Sequence, residues 1–330
     1  MSDSLLAFRA SSFWSNPLLF AIPALYILHK TLQSPARPQK VTYDEERVLI
    51  LGASSGIGRA IADIYAARGA RVFVVGRRQD QVQEVMLSCK NSSSVGTDNT
   101  VLGIAADFAN AEDLVKIRDQ IEQDWGGLDT LVVAAGVSAL RPLMEVAGVE
   151  KTKSGFSPAS ASKDDIQKAS EVASAAIHSN YIGPLMSAVT FIPLLSRTSK
   201  SPSVLLISSL ASVIPAPTRS IYASTKGASL LLYQSLAIEH PDISFSHILP
   251  STVEGDFRAS AVDAGPVREA NPNKKGLKRQ YVADRCIRAV DRQQGAVFLP
   301  GTMRLGHLLY WLWPSFVERQ ARKKYKYDII

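Results

Sequence analysis

Tyr222 and Lys226 stand four residues apart in the run Tyr-Ala-Ser-Thr-Lys, a spacing that puts both side chains on one face of a helix. An ammonium group one turn from a phenol lowers the pKa of the hydroxyl electrostatically. The same ammonium can hold a ribose, leaving the tyrosine to give or take a proton as hydride moves. Tyrosine and lysine at this spacing are common on helices, so the pair gains weight only from what precedes it. Upstream, Gly52, Gly56 and Gly58 fall at spacings of four and two within Gly52-Ala-Ser54-Ser55-Gly56-Ile57-Gly58. Such glycines let a backbone turn tightly and approach a pyrophosphate held by the amide donors of a following helix.

These side chains need a scaffold, and the hydrophobic pattern supplies one. Arg47–Leu51 reads as a buried strand feeding the glycine loop, and Arg59–Arg68 as the helix after it. A second strand, Arg71–Val75, ends in Gly76-Arg77-Arg78. An acidic residue at that place would bind the ribose hydroxyls of NAD, whereas arginines suit a 2′-phosphate, so NADP(H) is the expected cofactor, with Arg77 the principal phosphate ligand and Arg78 in reserve. Further strands are expected at Val101–Ala105, Thr130–Ala134, Val204–Ile207, Ser244–Leu249 and Ala296–Leu299, with a helix at Ala111–Asp124 and another from Tyr222 to about Glu239. Strands alternating with helices predict an α/β protein with a doubly wound, mostly parallel sheet, a Rossmann fold. Asp107, after the third strand, can accept a hydrogen bond from an adenine amino group, and Ala134-Ala135-Gly136 ends the fourth strand beside the cofactor.

Together these motifs resemble the short-chain dehydrogenase/reductase family over roughly residues 46–300, and in particular its membrane-associated, hydroxysteroid dehydrogenase-like members. The resemblance implies that Ser209, thirteen residues before Tyr222, orients the substrate, and that Asn180 in Asn-Tyr-Ile-Gly holds its helix and an active-site water. It implies that Ser209 and Tyr222 hydrogen-bond the substrate oxygen, while Lys226 and Asn180 relay the proton through water. Pro250, Thr252 and Val253 match the segment around the nicotinamide amide, although Ser251 and Gly255 depart from the family pattern. Ala134-Ala135-Gly136 lacks the usual two asparagines, which weakens a contact supporting the backbone. The implied activity is NADP(H)-dependent reduction of a ketone on a lipophilic, steroid-like or lipid substrate. A 3-keto-sphingoid-base reductase and a non-catalytic NADP(H)-binding sensor or scaffold are the alternatives. Ser208-Ser209 lacks a nucleophile elbow, so hydrolase chemistry has no support. His178, His240, His247 and Glu239 make no metal set.

Composition and the chain ends complete the expectations. The 330 residues are 46% hydrophobic and 20% charged, enough for a substantial core, and Cys89 and Cys286 are the two cysteines, which excludes a disulfide framework. The net charge is +7, yet residues 258–330 carry 15 basic and 6 acidic side chains, a surplus suited to a phosphate-bearing ligand or an anionic membrane surface rather than to nucleic acid. Phe13–Leu28 is apolar but interrupted by Pro17 and Pro23; it reads as an N-terminal membrane anchor within a segment 1–40, ahead of a catalytic domain 41–300. Residues 301–330 read as an amphipathic extension, with Leu305, Leu308, Trp311, Leu312, Trp313 and Phe316 beside a polybasic run. A bilayer surface is the expected partner of that extension, and a lid or homodimer contact is the competing use. The expected address is the endoplasmic reticulum or a lipid droplet, with the catalytic body on the cytosolic side. Residues 256–280 are expected to form a mobile substrate loop, and residues 141–165 a flexible lid or a tolerated insertion.

Overall fold

The computed structural model describes residues 21, 24–25, 37–93, 100–152, 154–259, 261–268 and 271–327. From Arg37 onward the described residues belong to one compact unit. Its centre is a seven-stranded sheet of β1 (Arg47–Leu51), β2 (Arg71–Gly76), β3 (Val101–Ala105), β4 (Thr130–Val133), β7 (Ser203–Ile207), β8 (Ser244–Pro250) and β9 (Ala296–Leu299), in the order β3-β2-β1-β4-β7-β8-β9. Every pairing in this sheet is parallel.

Strand β1 shows why the sheet must be covered on both sides. Val48 and Ile50 face one hydrophobic layer and Leu49 and Leu51 the other, with all four side chains buried. A strand buried on both faces reads as a continuous apolar run, which is what Val-Leu-Ile-Leu is. One layer is closed by α1 (Gly56–Ala67), α2 (Gln79–Ser92) and a later helix, α9 (Arg279–Asp291), through Ile61, Tyr65, Val85 and Val290. The other is closed by α3 (Ala111–Trp125), α6 (Gly183–Thr198) and α7 (Ser220–Glu239), through Ile117, Trp125, Phe191 and Tyr233. Topology reverses at β1, where β2 lies on one side and β4 on the other, and ligands of open parallel sheets bind at the carboxyl ends of the strands beside such a reversal. Cys89 and Cys286 are buried and unbridged, and burial pushes the Cys89 thiol up to about 12, so it is no reactive thiolate at neutral pH.

The segment 141–165 carries regular structure. It contains a short helix, α4 (Leu143–Val146), and an antiparallel hairpin of β5 (Glu150–Thr152) with β6 (Gly155–Ser157). It ends at α5 (Lys163–Ile177), whose start is fixed by a capping box between Ser162 and Asp165. The segment 256–280 carries α8 (Pro272–Lys275) and is tied to the body at several points, two of them along residues 140–145. Asp263 Oδ2 accepts from the amides of Leu140 and Arg141 at 2.6 and 2.7 Å, and Arg268 pairs with Glu145 at 2.7 Å.

The expectation of membrane attachment is overturned. Among the described residues, no helix is long and apolar enough to cross a membrane. Of the apolar stretch Phe13–Leu28, only Ala21, Ala24 and Leu25 are described, in helix; the rest lies outside the described residues. At the other end, α10 (Met303–Leu312) has 10 residues and α11 (Pro314–Tyr325) has 12, separated at Trp313 because Pro314 cannot continue the preceding helix. Both fall well short of the roughly 20 residues a span requires. The extension touches its own body through the His307 ring, which stacks on Phe298 of β9 at 6.0 Å, and through the buried Tyr325, while Leu305, Leu308, Trp311, Leu312, Trp313 and Phe316 are exposed. The anchor, the membrane-surface partner and the endoplasmic reticulum or lipid-droplet address are therefore withdrawn, since no helix among the described residues supplies a span.

Candidate active site

The glycine loop runs from β1 into α1 with no room for side chains. Gly52 takes φ +91°, and a Cβ there would stand 2.4 Å from the Ala135 nitrogen; a Cβ on Gly58 would stand 2.2 Å from the Gly52 oxygen. The turn can be this tight only with glycine at both places. Gly56, also left-handed at φ +62°, has nothing within 4 Å of a Cβ position, so its backbone is open to a ligand. The first-turn amides of α1 point into this opening, and the Ser55 hydroxyl accepts from Arg78 Nη2 at 3.4 Å. These residues fit a dinucleotide: a bare-backbone cradle at a helix N-terminus, with two exposed arginines, Arg77 and Arg78, directly after β2.

At the opposite end of the same cavity lie Ser209, Tyr222 and Lys226. Lys226 is 4% exposed and donates from Nζ to the Ile207 carbonyl at 3.0 Å; burial pushes its ammonium down to about 8. Tyr222 is likewise buried, one helical turn earlier on α7, with the Phe257 ring edge-on at 6.0 Å. Ser209 begins the 3-10 turn Leu210–Ser212 and accepts from the Ala211 amide at 3.2 Å, which leaves its O–H as a donor. Its neighbour Ser208 is spent internally, donating to Ser212 Oγ at 3.1 Å.

Asn180 occupies a π-helical turn, His178–Ile182, inserted between α5 and α6. Such turns break the regular backbone ladder and are frequent at functional sites. Its side chain is fully buried and fully used. Oδ1 accepts from the Val137 amide at 2.9 Å, and Nδ2 donates to the Val137 carbonyl and to Thr225 Oγ1, both at 3.0 Å. Asn180 thus pins the end of β4 to the helix that carries Tyr222 and Lys226. Gly136 sits in the middle of this arrangement, where a Cβ would lie 2.8 Å from Asn180 Oδ1 and 3.1 Å from Lys226 Nζ.

A single cavity of about 770 Å³ joins the two ends. Of the residues singled out in the sequence, Gly52, Ser54, Ser55, Gly56, Ile57, Gly58, Arg77, Arg78, Ala135, Gly136, Ser209, Tyr222, Lys226, Pro250, Thr252 and Val253 line it. Asn180 lies behind the wall, acting through Val137 and Thr225. Asp107 is not brought into the lining: it falls between two lining residues, Ala106 and Phe108, and its Oδ1 accepts from the Ala109 amide at 3.0 Å. Sequence reasoning missed Arg219, Phe257, Lys324 and Tyr325, all of which line the cavity. Arg219 was visible as a cation three residues before Tyr222. Phe257 lies in the segment 256–280 expected to be the substrate loop, though the residue was not singled out, and Lys324 and Tyr325 come from the C-terminal helix, where no local pattern points to the site.

A parallel sheet with a bare glycine turn, a helix N-terminus and a buried tyrosine–lysine pair at its switch point defines a dinucleotide-dependent oxidoreductase. Residues 46–264 match the family model for short chain dehydrogenases, and the chain belongs to that family. Among curated relatives it is similar to "11-beta-hydroxysteroid dehydrogenase-like 3" of Arabidopsis thaliana, 33% identical over 242 residues that cover 73% of this chain and 68% of the relative. It is also similar to "Dehydrogenase/reductase SDR family protein 7-like" of Dictyostelium discoideum, 24% identical with 93% and 90% covered. The match spans 60% and 53% of two further plant hydroxysteroid dehydrogenase-type relatives. Among solved structures, a short chain dehydrogenase/reductase from Burkholderia phymatum in complex with NAD superposes with a TM-score of 0.67 at 16% identity, covering 83% of this chain and 95% of that one. An alcohol dehydrogenase from Thermococcus sibiricus complexed with 5-hydroxy-NADP gives 0.60 at 22% identity, covering 77% and 95%. These likenesses place the chain among family oxidoreductases with an NAD(P)-type fold.

Proposed function

We propose that the protein is an NADP(H)-dependent reductase of a ketone on a lipophilic, steroid-like or lipid substrate. The observation that carries this reading is one cavity holding Arg77 and Arg78 at one end and Ser209, Tyr222 and Lys226 at the other. The cofactor would lie along the glycine loop and supply the hydride. Arg77, exposed at the end of β2, supports a 2′-phosphate ligand, because a guanidinium makes charge-assisted bonds to phosphate that NADH cannot return. Ser209 and Tyr222 donate to the carbonyl oxygen and polarise it. Tyr222 Oη gives its proton to that oxygen in reduction and takes it back in oxidation. Lys226, cationic below about pH 8, favours the phenolate left behind. Asn180 keeps α7 in place relative to the end of β4.

The lipophilic substrate is supported by the apolar wall around Tyr222, where Val137, Leu210, Val253 and Phe257 line the cavity, and by the printed names of the plant relatives. The test is oxidation of NADPH, beside NADH, across steroid ketones, long-chain 3-keto bases and simple lipophilic aldehydes. Tyr222→Phe is expected to keep NADPH affinity and to lose roughly 10²–10⁴-fold in turnover, the range for a positioned general acid. Equal turnover in the variant removes Tyr222 as the proton donor.

A further inference from the structure

Arg219 belongs to neither the glycine loop nor the Tyr-x-x-x-Lys motif, yet it lies against the proposed proton donor. It occupies the position just before α7 and is 5% exposed, and its guanidinium carbon stands 4.3 Å from the centre of the Tyr222 ring. Nη2 donates to Ser138 Oγ at 2.8 Å, and Ser138 is itself fully buried just beyond the end of β4. The residue before it, Thr218, holds φ +67°, a left-handed conformation costly for a β-branched side chain. Strain of this kind persists only where surrounding contacts enforce it, and here the chain it bends delivers Arg219 to the ring face.

We propose that Arg219 is a positioning residue that stabilises the phenolate form of Tyr222 from the face of its ring. The inference rests on Tyr222 being the proton donor. A cation over an aromatic face is attracted by the ring quadrupole, and more strongly when both partners are desolvated, as these are. The attraction grows when the phenol ionises, because the phenolate charge spreads into the ring the guanidinium covers. Other charged groups share the cavity with the ring: Lys226 from α7, Glu254, Asp256 and Arg258 from the loop after β8, Arg279 from α9, and Lys324 from α11. Glu254 is engaged elsewhere, accepting from Lys278 Nζ at 2.9 Å and from the Arg279 amide at 3.0 Å. Lys226 and Arg219 then divide the work. Burial lets Lys226 give up its proton near pH 8, while a guanidinium stays charged throughout the working range. Arg219 therefore keeps a cation on Tyr222 in the alkaline range where Lys226 has become neutral.

The test reads ionisation of Tyr222 directly, without a substrate. Full-length protein carrying [¹³Cζ]tyrosine is titrated by NMR in the presence of NADP⁺, and the Tyr222 signal is assigned by its loss in Tyr222→Phe. Arg219→Gln removes the charge and keeps a donor for Ser138; Arg219→His is a second neutral variant above pH 7 that keeps a planar ring on Tyr222. Each is expected to move the Tyr222 transition upward by about one pH unit, a tenfold change. A folded neutral variant whose transition lies within about 0.2 pH unit of wild type overturns the proposal. The two readings fail separately. Undiminished turnover in Tyr222→Phe defeats the proton-donor assignment, whatever the titration shows. Lost turnover there, with a titration indifferent to Arg219, defeats the Arg219 proposal alone.

Discussion

Replacing Lys226 by methionine should change how folding stability depends on pH, and the size of that change follows from burial. Methionine keeps the length and apolar stem of the side chain and removes the ammonium. In the folded protein that ammonium is held in a buried site that pushes it from its ordinary value of 10.5 down to about 8, with desolvation as the cause. Below pH 8 the folded and unfolded chains both carry the proton, and the folded state bears the full cost of the buried charge. Between about 8 and 10.5 the unfolded chain binds more protons than the folded one, so stability rises with pH across that window. At 1.36 kcal/mol per pH unit, the gap between 10.5 and about 8 is worth about 3 kcal/mol. Urea unfolding of wild type and Lys226→Met at pH 7, 8, 9 and 10 gives the difference directly, because all other titrating groups are common to both proteins. Wild type should gain on the variant by about 3 kcal/mol as the window is crossed, most of it by pH 10. A difference that stays flat, or that falls with pH, refutes the claim that Lys226 is a desolvated cation in the folded state.

Two further outcomes follow from the same geometry. Arg77→Ala should weaken NADPH by roughly 10–100-fold, the worth of one charge-assisted contact, and leave NADH nearly unchanged; fluorescence titration with both cofactors reads the ratio, and an unaltered ratio moves the phosphate site away from β2. Asn180→Ala should destabilise the protein by roughly 2–4 kcal/mol, since it strands the buried amide and carbonyl of Val137 and removes one partner of the Thr225 hydroxyl, which keeps its bond to the Tyr222 carbonyl; a chemical melt that shifts by much less would mean the π-helical turn does not depend on this side chain.

The sequence carried the central fold well because its signals were local. Val-Leu-Ile-Leu before the glycines and Tyr-Ala-Ser-Thr-Lys within an apolar helix announce their elements by composition and spacing. The strand expectations at Arg47–Leu51, Val101–Ala105 and Ala296–Leu299 coincide with β1, β3 and β9. Failures arose where meaning depends on what a segment packs against. Residues 303–325 read as one amphipathic stretch; the structure breaks them at Pro314, leaves Leu305, Leu308, Trp311, Leu312, Trp313 and Phe316 exposed, and brings Lys324 and Tyr325 to the cavity wall. Asp107 makes a turn contact, Oδ1 accepting from the Ala109 amide two residues away, which short acidic side chains favour and which leaves the carboxylate further acceptor sites.

The missing asparagines at Ala134-Ala135 bear on how the site is held. Polar side chains there would have supported the backbone beside the cofactor, and their replacement by alanine was expected to weaken it. The amides of Ala134 and Ala135 both donate to the Leu51 carbonyl at 2.9 Å, so the end of β4 is fastened to the glycine-loop strand through main chain. One residue past Gly136, Asn180 takes both the amide and the carbonyl of Val137. Small residues are then an asset: Ala135 lies against Gly52, and Gly136 leaves the space that Asn180 Oδ1 and Lys226 Nζ occupy. Side-chain support of this backbone comes from Asn180, across from the strand. Asn180 accordingly couples the cofactor-side strand end to the helix bearing Tyr222, and a loosening of Asn180 should disturb both ends of the cavity together.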